Sequence, residues 1–128
     1  MSMLPKEFRL KHMKDFDILF KEGHFVSGNL VVIKVWKVEP EKYTRHEYSE
    51  KNLKIGFVVG KKVSKSAVKR NRVKRQMREV VRLLLKKNML KLGFHVSIMA
   101  KPLILGKKYD EIEQDLFNAL KKAGLLKL

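Results

Sequence analysis

Residues 54–82 read KIGFVVGKKVSKSAVKRNRVKRQMREVVR, and the spacing of the apolar residues changes in the middle of this stretch. Up to Val59 the run is short, β-branched and aromatic, as a strand requires. Beyond Gly60, Val73, Met77, Val80, Val81 and Leu84 recur every three or four residues, so at about 100° per residue they form one stripe of a helix. Ser64 or Ser66 is placed to cap that helix, which the pattern extends to about Asn88. A strand running straight into a long helix, with one apolar stripe on the helix to cover a sheet, sets the fold class: helices layered on a sheet.

The rest of the helix is basic. Lys61, Lys62, Lys65, Lys69, Arg70, Arg72, Lys74, Arg75, Arg78, Arg82, Lys86 and Lys87 face only one acid, Glu79, within residues 61–87. Asn71, Arg75, Arg78, Arg82 and Lys86 stack along a line opposite the apolar stripe. A charged helix face is ordinarily a solvated exterior of mixed sign. Here the signs are not mixed, and like charges four residues apart cost a few tenths of a kcal/mol each. The pattern therefore opposes the helix unless a polyanion neutralises it. Nucleic acid is the expected partner, with Lys and Arg spanning phosphates and Asn71 able to bond a phosphate, a sugar hydroxyl or a base edge.

Outward from this helix the chain stays consistent. Its 128 residues give one domain, 1–128, with 30 Lys and Arg against 13 Asp and Glu, a net +17, and 45% hydrophobic residues. That apolar content supports a core, which a disordered basic tail lacks. Upstream, MKDFDILFKEG (13–23) places Phe16, Leu19 and Phe20 at helical spacing and ends on Gly23, expected in a left-handed conformation past the helix end. Phe25 to Val38 reads as one strand, alternating from Val31 so that Val32, Lys34 and Trp36 share a face. A polar loop, residues 39–52, is read as a long hairpin to the strand before the basic helix. Downstream, GFHVSIMAKP (93–102) reads as a strand, and YDEIEQDLFNALKKAG (109–124), acids first and lysines last, as a helix matched to its dipole. The expected fold is an α+β sandwich of a small, mainly antiparallel sheet with three helices, in the order α-β-β-α-β-α.

Several chemistries find no support. There is no cysteine, which removes disulfides, thiolate metal sites and cysteine nucleophiles and fits a reducing compartment. Apolar runs such as LVVI fall far short of a membrane span of roughly 20 residues, so the cytoplasm is the expected location and no membrane partner is expected. His12, His24, His46 and His95 are scattered, and no pairing with a carboxylate has acid/base or metal-ligand spacing. Asp15 and Asp17 diverge on their helix, where capping or solvation explains them.

The run from Lys54 to Arg82 resembles the protein subunit of bacterial ribonuclease P. Arg70-Asn71-Arg72, then Lys74-Arg75 and Arg78-Glu79, look like that family's RNR signature, and IGFVVGKK stands directly before it. FRLKHMKDFDILFKEG (8–23) is similar to the family's opening pattern, with Phe16, Phe20 and Gly23 in place. The resemblance implies a ribonucleoprotein that removes the 5′ leader of precursor tRNA, with a catalytic RNA subunit, Mg²⁺ held mainly by that RNA, and a protein that is not itself catalytic and is monomeric when free. It implies a left-handed βαβ crossover, which the right-handed rule would not have suggested. By carry-over Arg70, Asn71, Arg72, Lys74, Arg75 and Arg78 contact the catalytic RNA, with Lys61, Lys62, Lys65, Lys69 and Arg82 around them. Phe16 and Phe20 belong to a cleft for the single-stranded leader, with Lys34 and Trp36 the candidates for the rest of it.

Each aromatic has a plainer reading as core packing, since an i,i+4 aromatic pair on a helix ordinarily faces the interior. Two other classes of function also fit a basic α+β domain. A structural RNA-binding protein would bind RNA without stimulating cleavage. A DNA-binding module would need a recognition helix with base-reading side chains at its front and usually a dimer seam, and neither is evident.

Overall fold

The computed structural model describes residues 4–44 and 47–127; His46 lies outside the described residues. In chain order the elements are α1 (Met13–Glu22), β1 (His24–Ser27), β2 (Val31–Lys37), β3 (Leu53–Val58), α2 (Ala67–Lys86), β4 (Phe94–Ala100) and α3 (Tyr109–Lys122). The strands lie in the order β1-β2-β4-β3. The first two pairings are antiparallel and β3 runs parallel to β4, so β3-α2-β4 is a βαβ unit within a mainly antiparallel sheet. This is the α+β class expected from the sequence.

Alternation along the strands divides the sheet into two unlike faces. On one face Val31, Ile33, Val35, Ile55, Val96 and Ile98 are all buried against Val73, Met77, Val80, Val81 and Leu84 of α2 and Ile112, Leu116 and Leu120 of α3. Each such side chain, fully buried, contributes about 1.5–3 kcal/mol, and this is the main core. On the other face α1 packs against β2 and β4 through a smaller core of Leu10, Ile18, Leu19, Trp36 and Val38. Helix α2 begins where expected, the Ser66 hydroxyl accepting the Lys69 N–H at 3.3 Å. It ends where expected too, at Asn88 in the left-handed conformation with φ 55°.

Three local expectations are corrected. Phe25 to Val38 is not one strand but the hairpin β1-β2. Gly28 N–H bonds Val31 O at 2.8 Å, and the Asp115 carboxylate of α3 accepts the Asn29 and Leu30 N–H groups at 2.9 and 2.8 Å. A side chain at Gly28 would sit 2.8 Å from that carboxylate, so the turn is pinned by a residue 85 or more positions away. Nor do β2 and β3 form a hairpin, because β4 pairs between them. The loop of residues 39–52 instead turns back over α1, where Tyr43 Oη donates to Glu22 at 2.6 Å and Tyr48 Oη to Asp15 at 2.6 Å. Gly23, finally, is extended at φ −80° and not left-handed. It is needed for room, since a Cβ there would lie 2.7 Å from the carbonyl oxygens of both Leu19 and Val35.

Candidate nucleic-acid interface

A ten-residue helix such as α1 is only about 15 Å long, too short to cover its face of the sheet. The strand register defines what remains. Trp36 of β2 lies opposite His95 of β4, which lies opposite Lys54 of β3, and this row is the covered end. Trp36 is 2% exposed and meets Tyr43, Tyr48 and His95 edge to face. Its indole N–H donates to Glu39 at 3.3 Å. The structure thus assigns Trp36 to the core beneath the cleft and not to its surface, because the 39–52 loop closes over it.

The next row is Phe25, Lys34, Ser97 and Gly56, and the one beyond is Ser27, Val32, Met99 and Val58. Here the face opens. Phe16 is half-buried with its ring against Gly56, where a Cβ would come within 2.9 Å of Phe16 Cζ. Phe20 and Phe25 are 43% and 59% exposed, and Val58 is exposed as well. Lys34 is buried, its ammonium 3.8 Å from the centre of the Phe25 ring and 5.7 Å from that of Phe20. Exposed aromatics around a cation form a platform for stacking unpaired bases. Phe16, Phe20 and Lys34 are thus brought together as the sequence reading grouped them. Phe25 was missed, and the overlooked signal is Gly28-Asn29 between two β-rich runs, a hairpin mark that would have set Phe25 opposite Lys34.

The covered end is polar but closed. His95 is fully buried, with neither ring nitrogen hydrogen-bonded among the described residues. Burial lowers its pKa to about 4 against the Asp15 charge, which acts in the opposite sense, so the ring is neutral near pH 7. Burial, and then the bond to Asp15, pushes the Tyr48 hydroxyl up. The described residues contain no group of three His, Asp or Glu placed to hold a metal, and no described helix is long and apolar enough to cross a membrane.

On the opposite side of the sheet, the outer surface of α2 carries the charge. Lys61, Lys62, Lys65, Lys69, Asn71, Arg72 and Arg75 are exposed, and Lys74 is half-buried. Lys69 and Arg72 border a recess of about 240 Å³ closed by Ile104 to Lys107. Arg70 and Arg82 have tasks within the fold. Arg70 donates through Nη1 to the carbonyls of Ser64 and Lys65, both at 3.0 Å, which fastens the turn before the helix. Arg82 places two N–H groups on Glu79, each at 2.8 Å, which ties up much of its fork. Arg78 has its Nε buried without a partner among the described residues, beside Leu4, Arg9 and Phe57.

The family model for ribonuclease P matches residues 4–124. The chain belongs to the ribonuclease P protein family. It is 37% identical over 124 residues to the ribonuclease P protein component of a Pseudanabaena species, covering 97% of each chain. It is also 37% identical over 120 residues to that of Clostridium botulinum, covering 94% of this chain and 97% of the relative. Among solved structures, the RNase P protein of Staphylococcus aureus superposes with a TM-score of 0.74 at 25% identity, covering 98% and 96% of the two chains. That of Thermotoga maritima gives 0.69 at 26% identity, covering 89% and 96%. The matched residues span both the basic helix and the cleft.

Proposed function

We propose that this protein works as the binding subunit of a ribonucleoprotein that cleaves the 5′ leader from precursor tRNA, with the catalytic centre in the RNA partner. The observation that carries this is the division of the molecule by its sheet: a helix with a basic outer surface on one side, a partly open cleft of Phe16, Phe20 and Phe25 around Lys34 on the other. Exposed Lys and Arg along α2 suit the fixed phosphate spacing of a folded RNA, and each phosphate neutralised releases counterions. Unpaired nucleotides need ring faces instead, and Phe16, Phe20 and Phe25 supply them. Holding both at once favours a substrate that still has its leader over the mature product, by the leader contacts alone. The reading keeps Mg²⁺ with the RNA partner and assigns the ion no step on this protein. The free protein is read as a monomer, its partners as the catalytic RNA and precursor tRNA, and its place as the cytoplasm.

The test is reconstitution with a bacterial catalytic RNA at near-physiological Mg²⁺, measuring cleavage of precursor tRNA with and without the protein. Strong stimulation, together with tighter binding of precursor than of mature tRNA, is expected. Tight RNA binding with no stimulation would point to a purely structural RNA-binding protein.

A further inference from the structure

We propose that the recess between α2 and residues 101–107 is a nucleotide site, taking one looped-out, unpaired nucleotide of the RNA partner with its base inside and its phosphate at the rim. The proposal rests on the reading that α2 lies against a folded RNA, and it adds a shaped pocket to that charged surface. The recess, of about 240 Å³, shares no residue with the aromatic cleft. Val73 and Ile104, both buried, form its floor, and Leu105, 40% exposed, stands beside them. Lys69, Arg72 and Lys107 supply cations around it, and the half-buried Gln76 an amide. Among the described residues, none of these four polar side chains takes part in a hydrogen bond or ion pair, whereas Arg70 and Arg82 are bonded within the fold. The wall is preformed: Leu105 N–H donates to Pro102 O at 3.2 Å and Lys107 N–H to Ile104 O at 3.1 Å, and Gly106 turns the chain at φ 82°, where glycine is favoured.

The chemistry of the lining selects the ligand. A bare phosphate is met by cations on an open surface, and driving it onto Val73 and Ile104 would strip its water without replacement. A nucleobase suits them, since its ring faces are apolar and its edge carries donors and acceptors that the Gln76 amide, with both, can match. The volume is below the roughly 300–1,000 Å³ that encloses a drug-sized molecule, which leaves room for one ring system and not for a run of bases. A base in a helix cannot reach such a recess, because in A-form RNA it is stacked and its major-groove edge lies in a deep, narrow groove. The occupant is therefore already unpaired or is extruded, which costs least at a bulge or loop. Its phosphates then fall to Lys69, Arg72 and Lys107. Such a contact marks one nucleotide, whereas phosphate contacts carry no sequence information.

The experiment uses the full chain and the catalytic RNA of its own source. The protein has no cysteine, so Leu105→Cys carries a single photo-crosslinker beside the recess, and the crosslinked nucleotide is mapped by primer extension. It is expected at one nucleotide that is unpaired in the RNA's secondary structure. Deleting that nucleotide weakens binding of the unaltered protein by about tenfold or more. Gln76→Trp, which fills the recess, produces the same loss with the slope of log affinity against log salt unchanged, because no phosphate contact is removed, and the deletion then adds nothing further. Crosslinks confined to paired nucleotides, a deletion without effect, or a folded Gln76→Trp that binds as the unaltered protein does overturn the proposal, as do losses that simply add. If Gln76→Trp fails to fold, seen as a lowered unfolding midpoint, the crosslink and the deletion decide alone. Failure of the unaltered protein to bind the RNA more tightly than a plain duplex of equal length would defeat the reading on which the site rests, and the site with it.

Discussion

One face of the sheet is covered by helices of twenty and fourteen residues, the other by a helix of ten. Under α2 and α3 the strands present mainly buried aliphatic side chains, with Phe57 and Phe94 partly buried beside them. Under α1 the same strands present Lys34, Ser97 and His95 among aromatics, and toward β1 and the end of β3 the face is open. The first face holds the fold and places its function on the outside of the helix. The second leaves part of the sheet itself exposed, and in the proposed reading this is the binding surface. Partial cover is what distinguishes them, because an aromatic or lysine side chain on a covered strand is packed away, and on an uncovered one stays within reach of a partner.

Substitutions that act on one face and spare the other sharpen this contrast. Met77→Ala, at a fully buried position of α2, is expected to cost about 2–5 kcal/mol of stability in urea unfolding. Selection of leader-bearing tRNA by the molecules still folded is unaltered. A change in that selection would mean the two faces are coupled.

His95 gives the covered end of the α1 face a pH dependence. Its pKa falls from 6.5 to about 4 on folding, so between those values the unfolded chain binds a proton that the folded chain refuses. The contribution is complete above pH 6.5 and is lost as the pH falls toward 4, by roughly 3 kcal/mol. Unfolding followed over this range shows a slope that His95→Gln reduces.

Phe20→Ala, at a half-exposed ring, is expected to weaken precursor binding by about 1–3 kcal/mol and to leave mature tRNA unaffected, as competition binding of the two would show. An equal loss for both would return Phe20 to the core. Gly56→Ala drives a methyl group into the Phe16 ring, at 2.9 Å, and costs about 1 kcal/mol or more in thermal unfolding, with a change in leader affinity that Met77→Ala does not produce. Least in size, Arg72→Ala removes one exposed cation of α2. The slope of log affinity for the catalytic RNA against log salt falls by just under 1, with stability unchanged. Arg70→Ala shows the same salt effect and also a lower melting temperature, because Arg70 is bonded to Ser64 and Lys65.

The sequence by itself determined the long basic helix, a cap at Ser64 or Ser66, its stop at about Asn88 and its buried stripe. All of these follow from residues within a turn or two of each other, where periodicity and capping chemistry operate. It also put Val32, Lys34 and Trp36 on one strand face, since alternation is local. Only the tertiary structure decided which of these is reachable. Trp36 is closed off by Tyr43 and Tyr48 from a loop that looked merely polar, while Lys34 stays at the cleft beside a Phe25 that the hairpin turn brings opposite it. That turn is held by Asp115, and the neighbour of β2 across the sheet is β4, more than fifty residues on. Contacts of such separation leave no period in the sequence, because nothing local fixes which distant residue will cover a given strand, and it is that cover which separates a core aromatic from a binding one.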